Sequence, residues 1–394
     1  MKEMYKKFKT ELLDSCVPFW LKHGVDKTYG GILNCLDRGG NVYSEDKSVW
    51  MQGRAGWMFS YLYNNIKKDP AYLTLAKSCI DFARAHCIDA DGRMFFTVTR
   101  DGRPLRKRRY WFSETFYIMA NAEYHMATGD EACLREAKRY FDMVYGIYLE
   151  PTTDPFRITP KTCAETRDTK SLAQPMILLN VASIMRQADV ARYDHYDGII
   201  TKLIDDIKVF HKPEFGAMFE AVDAATNGVI LESSSCRVIN PGHDMECAWF
   251  MLEEAIRRKD DALADFSAKV FTEAFARGWD EEYGGITYFK DVLGLPVEAY
   301  EHDMKLWWPH NEALIASLMI YRDTKDEKYL DIFYQILDYC KTYFADQYGE
   351  WYGYLRRDGQ PTQPACKGST FKGPFHVPRC LILVEQMMNQ ILGE

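Results

Sequence analysis

The chain has 394 residues, of which 47% are hydrophobic and 27% are charged, and its 49 basic and 57 acidic side chains give a formal net charge of −8. This composition is typical of a soluble globular protein and excludes long disordered or collagen-like stretches. The acidic balance lacks the basic field that binding to a phosphate backbone needs, so nucleic acid is not expected as a partner. The aromatic share of 14% suits a large core, and also a pocket in which flat side chains contact a sugar.

The 11 cysteines form no Cys-x-x-Cys pair and follow no regular spacing. Cysteines scattered in this way are expected to be small buried residues in a reducing compartment. The sequence from Met1 to Trp20 carries a Lys or Glu every few positions and lacks the apolar core of a secretory signal. No stretch approaches the roughly 20 apolar residues of a membrane-spanning helix. We therefore expect a cytoplasmic protein.

Glycine-rich, strand-like hairpins recur along the chain between helical stretches. They begin at Tyr29, Asp91, Glu214, Tyr283 and Tyr348. Neighbouring hairpins lie roughly 65 residues apart, except for a double interval between the second and the third. The Pro- and Thr-rich segment from Pro151 to Thr166 fills the missing place. A fixed period of this size predicts six similar units.

Within the units, helical stretches meet at very short breaks near Pro70, Gly129, Asp260 and Lys325. Short breaks join antiparallel helices, so long and short connections alternate along the chain. This alternation predicts about twelve helices, with every long connection at one end. We expect an all-α fold, an (α/α)6 barrel of six inner and six outer helices, with short β-hairpins in the long connections on one face. No linker-like run divides the chain, so residues 1–394 are expected to form a single domain.

Four of the predicted inner helices carry polar side chains on a face that should be apolar. In chain order these are Arg54 between Trp50 and Trp57, His243 and Glu246 with Trp249, Glu312 with Trp308, and His376 with Arg379. Each group lies near the start of a helix that follows a long connection, so all four should meet at one end of the barrel axis. A lone buried Arg54 is more often a partner in a core ion pair. Four such groups together predict a shared site.

The chemistry of the predicted site follows from its side chains. His243 and His376 can each take or give a proton near neutral pH, and Arg54 and Arg379 can stabilise a developing oxyanion. This set suits proton abstraction beside a carbonyl through an enediolate, with a base on each side of the carbon. Such a reaction needs no metal and no redox cofactor.

Further residues are expected to bind the substrate. Trp249, Trp307 and Trp308 can pack against the apolar face of a sugar, and Glu246 shares a helix face with the first histidine. Lys161 lies in the third long connection and faces the same mouth, although a lysine in a loop is usually just solvated.

Other chemistries compete with this interpretation. His243 with Glu246, or His302 with His310, could ligate a metal, but no His-Glu-x-x-His or Cys/His cluster accompanies them. Glu246 and Glu312 could be the paired carboxylates of an inverting glycoside hydrolase, which lie roughly 6.5–9.5 Å apart. The paired histidines are then unexplained. A non-enzymatic repeat scaffold is a third alternative. No Gly-x-Gly-x-x-Gly motif or Walker loop is present.

A basic run from Arg106 to Arg109, preceded by Arg100 and Arg103, is the one strong charge cluster. It could attract a phosphate or nucleotide effector. No glycine-rich phosphate cradle accompanies it, so the solvated end of a hairpin is the favoured interpretation.

At these residues the chain resembles the N-acylglucosamine 2-epimerase (renin-binding protein) family, nearly from end to end. The matching segments are FWLKHGVDKTYGGILNCLDRGG, DKSVWMQGRAGWMFSYLYN, PKTCAETRDTKSLAQPMILLN, NPGHDMECAWF, LWWPHNEALI and FHVPR. The resemblance implies an (α/α)6 barrel that interconverts N-acetylglucosamine (GlcNAc) and N-acetylmannosamine (ManNAc). It implies His243 and His376 as the acid/base pair, with Arg54, Glu312 and Arg379 as essential partners. It also implies a homodimer and, as in many members, ATP as an effector that is not consumed.

Cellobiose 2-epimerases and mannose isomerases resemble the chain in the same motifs and are the alternative within this fold. The segments WWPHNEA and FHVPR are more similar to the N-acylglucosamine branch.

Overall fold

The computed structural model describes residues 2–107, 110–154, 156 and 163–393, and the chain folds into two concentric rings of helices. The inner ring consists of α3 (Val49–Asn65), α5 (Phe112–Thr128), α8 (Ala173–Ala188), α10 (Pro241–Arg258), α12 (Trp307–Thr324) and α14 (His376–Leu392). Each inner helix packs beside the next in chain order. The ring closes where Trp57 of α3 packs edge-on against Phe375, the residue before α14, with ring centroids 5.4 Å apart.

The outer ring covers the inner one, because each outer helix packs on the inner helix that precedes it. Its members are α4 (Pro70–His86), α6 (Glu131–Leu149), α9 (Tyr193–Lys208), α11 (Asp261–Gly278) and α13 (Glu327–Tyr343). The last inner helix, α14, is covered instead by the N-terminal segment, which comprises α1 (Lys2–Thr10), a π-helical stretch (Glu11–Cys16) and α2 (Val17–His23). The two ends of the chain thus complete the barrel. A further short helix, α7 (Ala164–Arg167), precedes α8.

Three of the short breaks between inner and outer helices have a common construction. A residue in the left-handed conformation ends the inner helix, and the next residue is an Asp whose carboxylate accepts hydrogen bonds from the first N–H groups of the outer helix. The pairs are Gly129 with Asp130, Lys259 with Asp260, and Lys325 with Asp326. These breaks confirm the predicted antiparallel helix pairs.

The strands are very short and occur in the long connections. They are β1 (Cys35–Leu36), β2 (Val42–Ser44), β3 (Lys47–Ser48), β4 (Thr97–Val98), β5 (Pro104–Arg106), β6 (Thr169–Ser171), β7 (His211–Lys212), β8 (Ala217–Met218), β9 (Ala221–Asp223), β10 (Val238–Ile239), β11 (Lys290–Asp291), β12 (Lys305–Leu306) and β13 (Tyr354–Leu355). All pairings are antiparallel, in the orders β1-β2, β3-β4-β5, β6-β9, β7-β8, β10-β11 and β12-β13.

Several pairings differ from the local hairpins that the sequence predicts. β3, β10 and β12 lie just before an inner helix, and each pairs with a strand from the next unit: Lys47 lies opposite Val98, and Lys305 lies opposite Leu355. These bridges link neighbouring units and fix where α3, α10 and α12 begin. Strands of two residues carry no alternating pattern long enough for the sequence to indicate their partners.

Buried ion pairs hold two of the glycine-rich turns against the starts of inner helices. Lys47 Nζ lies 2.9 Å from Asp26 Oδ2, and Lys305 Nζ lies 2.8 Å from Asp280 Oδ2, with all four side chains buried. Both aspartates precede a Tyr-Gly-Gly turn, and both lysines precede an inner helix by two residues, so the sequence repeat reproduces the same contact. Removing one partner of such a pair leaves an uncompensated buried charge. Within the described residues, no helix combines the length and apolarity needed to span a bilayer.

Candidate active site

A pocket of about 600 Å³ opens at the end of the barrel where the inner helices begin. Every inner helix contributes to its lining. The residues are Trp50 and Arg54 of α3; Phe112, Phe116 and Met119 of α5; Ala173, Met176, Ile177 and Asn180 of α8; His243, Glu246 and Phe250 of α10; Trp307 and Trp308 of α12; and His376 and Arg379 of α14. The structure therefore brings the four sequence-predicted groups to one place, as their shared position at helix starts requires.

His243 is held at the first turn of α10. Asn240 caps this helix, and its side-chain oxygen accepts hydrogen bonds from the backbone N–H groups of Gly242 and His243 at 3.0 and 3.3 Å. Nδ1 of His243 lies 2.8 Å from Glu220 Oε1. A carboxylate only accepts hydrogen bonds, so Nδ1 donates and Nε2 is the nitrogen left to exchange a proton.

The pKa of His243 is raised above its ordinary value. Burial acts to lower this pKa, but the negative charges of Glu220, Glu246 and Glu312 outweigh it. This shift favours the protonated form of His243, whose Nε2–H can act as an acid.

His376 lies at the start of α14 in a different electrostatic environment. Its Nδ1 lies 2.7 Å from Glu312 Oε1, so it donates to this carboxylate, and Nε2 is again the free nitrogen. Burial lowers the pKa of His376 well below its ordinary value, and the positive charges of Arg54 and Arg379 lower it further. His376 is therefore neutral at neutral pH, with the lone pair of Nε2 available as a base.

The two imidazoles flank one indole ring. The ring centroid of Trp308 lies 5.0 Å from that of His243 and 6.0 Å from that of His376. Both histidines line the same pocket. One protonated and one neutral imidazole on either side of a shared space can deliver and remove protons at a single substrate atom.

Glu312 and Trp249 lie behind the pocket. Trp249 therefore lacks its expected place against the substrate, whereas Glu312 contacts His376 and Arg379, the site residues it was expected to accompany. Glu312 is fully buried, and its oxygens accept hydrogen bonds from His376, from Arg379 at 2.7 Å and from Trp249 Nε1 at 2.8 Å. Trp249 is 3% exposed and does not line the pocket. The sequence pattern placed both residues on the pocket face of their helices, but the interlocked ring holds them one layer deeper. Phe250 lines the pocket where Trp249 was expected.

Arg54 is not part of the core ion pair that its sequence context alone would favour. Within the described residues, no carboxylate lies within ion-pair distance of its guanidinium, which sits over the rings of Phe116 and Phe375 at 4.3 and 4.8 Å. Nη1 donates to the carbonyl oxygen of Phe371 at 3.2 Å, and Nε has no hydrogen-bond partner. Burial lowers the pKa of Arg54 to about 9. An unneutralised guanidinium lining a pocket is suited to an oxygen that becomes negative.

Arg379 differs from Arg54, because its buried guanidinium is paired with two carboxylates. Nη2 donates to Glu246 Oε1 at 2.9 Å and to Glu312 Oε1 at 2.7 Å. These contacts fix the carboxylate of Glu246 at the edge of the pocket. They also fix the carboxylate of Glu312, which accepts the hydrogen bond from His376, beneath the pocket.

Glu246, Glu312 and His376 each offer a ligand atom within 4.8 Å of the others, which is compatible in principle with a metal ion. The Arg379 guanidinium already occupies the cation's place between the two carboxylates. A metal would have to displace it, so the donor set fits an ion-pair network better than a metal centre.

The second metal alternative conflicts with the contacts of His310. Its Nε2 accepts a hydrogen bond from the backbone N–H of Ile286 at 2.9 Å, and its Nδ1 donates to the carbonyl oxygen of Leu306 at 2.7 Å. Burial lowers the pKa of His310 to about 3. Both ring nitrogens are engaged, so His310 is a structural residue.

Apart from Arg106, whose guanidinium lies 5.7 Å from the ring centroid of Phe96, the described members of the basic run are paired with carboxylates. Its ion pairs are Arg100 with Asp26 and Glu45, Arg103 with Asp101, and Lys107 with Asp89 and Asp91. These contacts support the interpretation as the charged end of a hairpin. Arg108, Arg109 and the predicted substrate-binding residue Lys161 lie outside the described residues.

Glu220 is a site residue that the sequence analysis missed. It follows Phe219 in the third recognised hairpin, between β8 and β9. The only signal available was its place in a long connection on the pocket side of the barrel. Its contact with His243 depends on the path of that connection, which the sequence does not show.

Comparisons with known proteins identify the same family as the sequence motifs. The family model described as N-acylglucosamine 2-epimerase (GlcNAc 2-epimerase) matches residues 30–377. The chain belongs to this family. It is 39% identical to the N-acylglucosamine 2-epimerase of Bos taurus over 97% of the chain and 90% of the bovine protein, and 37% identical to that of Homo sapiens over 97% and 89%. Membership makes the chain a carbohydrate epimerase and confirms the predicted enzyme class.

A comparison with solved structures finds the same fold. The cellobiose 2-epimerase from Bacillus thermoamylovorans B4167 superposes with a TM-score of 0.84 at 22% identity, covering 98% of this chain and 100% of that one. This likeness confirms the predicted (α/α)6 barrel.

Proposed function

We propose that the protein interconverts GlcNAc and ManNAc by moving the proton at C2 between two histidines. The observation that carries the proposal is the pair of imidazoles that line one pocket beside Trp308, each held through Nδ1 by its own carboxylate and each with Nε2 free. The choice of sugar is supported by the N-acylglucosamine 2-epimerases at 37% and 39% identity. The homodimeric state implied by the resemblance, and the cytoplasmic location expected from the sequence, belong to the same proposal.

The reaction begins with opening of the sugar ring to expose the C1 aldehyde, because a C2 proton becomes acidic only beside a carbonyl. Ring opening moves a proton from O1 to the ring oxygen. We assign this transfer to the pocket-lining histidines. Glu312 is not available for this transfer, because it is fully buried and both of its oxygens already accept hydrogen bonds.

Epimerisation then needs one base and one acid. Nε2 of neutral His376 removes the C2 proton; the electron pair of the C2–H bond forms the C1–C2 double bond, and the carbonyl electrons move to O1. Arg54 stabilises the negative charge on O1, because no carboxylate in the described residues neutralises it. Nε2–H of His243 delivers a proton to the opposite face of C2, and the electrons return to rebuild the carbonyl. The same path runs in reverse when the protonation states of the two histidines are exchanged.

The contribution of each histidine has an expected size. Proton transfer by a positioned side chain typically accelerates a reaction by about 10²–10⁴-fold. We therefore expect His243→Asn and His376→Asn each to lose at least 100-fold in rate, and a variant of either with wild-type turnover would remove that residue from the mechanism.

The chemistry consumes neither a nucleotide nor a metal ion, since every step is a proton transfer. ATP therefore enters the proposal solely as an effector that is not consumed, as the resemblance implies.

The inverting glycoside hydrolase alternative conflicts with the burial of Glu312. Such an enzyme needs both carboxylates beside the substrate. Glu246 lines the pocket, but Glu312 lies behind it with both oxygens occupied.

A panel of four sugars tests the proposed function. GlcNAc, ManNAc, mannose and cellobiose are each incubated with the protein in D₂O, and products are identified by NMR. We expect GlcNAc and ManNAc to interconvert with deuterium at C2 of the product. Ketose formation from mannose would assign the protein to the isomerase branch, epimerisation of cellobiose alone would assign it to the cellobiose branch, and release of glucose from cellobiose would establish a hydrolase.

A further inference from the structure

Two neighbouring inner helices give the pocket a wall that differs from the rest of its lining. α5 contributes Phe116 and Met119, and α8 contributes Met176 and Ile177. Within the described part of the chain, Asn180 is the one polar side chain that these two helices present to the pocket. It lies one helical turn beyond Met176, it is half-buried, and its carboxamide has no hydrogen-bond partner among the described residues.

This wall is poorly suited to a sugar hydroxyl. A hydroxyl taken out of water against an apolar surface, without a hydrogen bond, is strongly disfavoured. The charged side chains that the inner helices present to the pocket belong to α3, α10 and α14, and Glu301 lies in the connection before α12. The hydroxyl-bearing part of the substrate therefore belongs on that side. An apolar surface with a single unsatisfied amide is complementary to a small group that carries a methyl and an amide.

The positions of the histidines indicate which substituent of the sugar faces this wall. The two faces of a planar intermediate at C2 point toward His243 on α10 and His376 on α14. The indole of Trp308 on α12 lies beside both imidazoles, with its ring centroid 5.0 Å from that of His243 and 6.0 Å from that of His376. In ring order α5 lies across the barrel from α12, and α8 lies beside α5. The substituent on C2 that points away from Trp308 thus meets the wall formed by α5 and α8.

We propose that this wall is the recognition site for the N-acyl group of the substrate. The acyl methyl packs against Phe116, Met119 and Met176, and the Asn180 carboxamide hydrogen-bonds the substrate amide. An Asn side chain has both donors and an acceptor, so it can pair with a carbonyl oxygen or an N–H. The inference rests on the proposed function and names the residues that select N-acyl amino sugars within that site.

The first test replaces Asn180 with Leu, which has a similar shape but no hydrogen-bonding atoms. The loss of one hydrogen bond to substrate predicts an increase of about tenfold in KM for both GlcNAc and ManNAc, while kcat stays within about threefold because Asn180 does not move a proton. Gln187→Leu, on the exposed side of the same helix, is the matched control with an expected wild-type KM. Because the Asn180 side chain makes no hydrogen bond to the residues that the structure describes, the Leu variant should keep the wild-type thermal midpoint.

The second test measures the methyl contact separately. The ratio of kcat/KM for N-acetylmannosamine to that for N-formylmannosamine reports the contribution of one methyl group, and we expect about tenfold in the wild type. Met176→Ser makes the wall polar and should bring this ratio close to one, whereas Met176→Leu should preserve it.

The outcomes separate the recognition site from the reaction itself. A wild-type protein that incorporates no deuterium at C2 of any N-acyl sugar would overturn the proposed function. An active protein in which Asn180→Leu keeps a wild-type KM, or in which Met176→Ser keeps the wild-type acetyl-to-formyl ratio, would overturn the N-acyl recognition site and leave the two-histidine reaction intact.

Discussion

Glu220→Gln tests whether a carboxylate outside the barrel helices sets the protonation state of one of the two histidines. Glu220 Oε1 lies 2.8 Å from His243 Nδ1, and its charge is the largest effect that raises the pKa of this imidazole. Gln keeps the shape and a hydrogen-bond acceptor but removes the charge. Burial then dominates, and burial lowers the pKa of His243. In the variant, the His243 imidazolium should therefore lose its proton at a lower pH than in the wild type.

The size of this shift can be worked from the geometry. Two unit charges about 4 Å apart interact by about 4 kcal/mol at an effective dielectric constant of 20. The side chains of His243 and Glu220 are 24% and 20% exposed, so water screens part of this interaction. We expect a fall of at least about one pKa unit, which corresponds to about 1.4 kcal/mol.

The assay is the pH dependence of kcat/KM. Activity requires the histidine pair to carry one proton, so the profile is a bell with an acid limb from His376, well below pH 6.5, and a basic limb from His243, above it. Both directions of the reaction share this bell, since both use the singly protonated pair.

In Glu220→Gln the basic limb should move to lower pH by at least about one unit, with the acid limb in place. Glu301→Gln removes a carboxylate from the same pocket without a contact to either histidine, and it is the matched control. An unmoved basic limb in Glu220→Gln, or an equal movement in both variants, would refute the reasoning.

Three further predictions follow from the contacts. Glu312→Gln should lower kcat by at least about 100-fold with a near-wild-type KM, because it disturbs the tautomer of His376 without touching substrate; steady-state kinetics measure this, and an equal rise in KM would contradict it. Arg54→Lys should lower kcat/KM because Lys lacks the planar fork of donors, and wild-type turnover would make Arg54 a structural residue. Lys305→Met should lower the free energy of unfolding by about 3 kcal/mol in urea denaturation, because it leaves the buried Asp280 without one partner. The exposed pair of Lys328 with Asp326 is the control, and Lys328→Met should leave the urea midpoint close to that of the wild type.

The repeat and the helix pairs were predictable because they depend on local physics. The Gly-Asp and Lys-Asp breaks specify a left-handed end followed by an N-cap, and these fix the antiparallel pairs. A polar side chain near the start of an inner helix indicates the pocket end of the barrel. His243, His376, Arg54 and Arg379 were found in this way, since their position depends only on helix phase and on which connections are long.

What escaped prediction depends on contacts between distant segments. Glu220 reaches His243 through the path of a long connection, and Glu312 lies behind His376 because three inner helices interlock. Helix phase places Trp249 and Phe250 only about 100° apart, which is too coarse to decide which ring faces the pocket. The bridging strands are two residues long, too short for an alternating hydrophobic pattern that would predict their partners.

The central claim is that two different histidines act on opposite faces of one carbon. The most direct measurement is conversion of ManNAc in D₂O, stopped at low conversion, with the C2 position of both epimers examined by NMR. We expect deuterium at C2 of the GlcNAc formed, while the ManNAc recovered keeps its proton, because the acid that completes the reaction is not the base that begins it. Equal deuterium in both epimers from the earliest time would mean that a single group serves both faces, and would contradict the account.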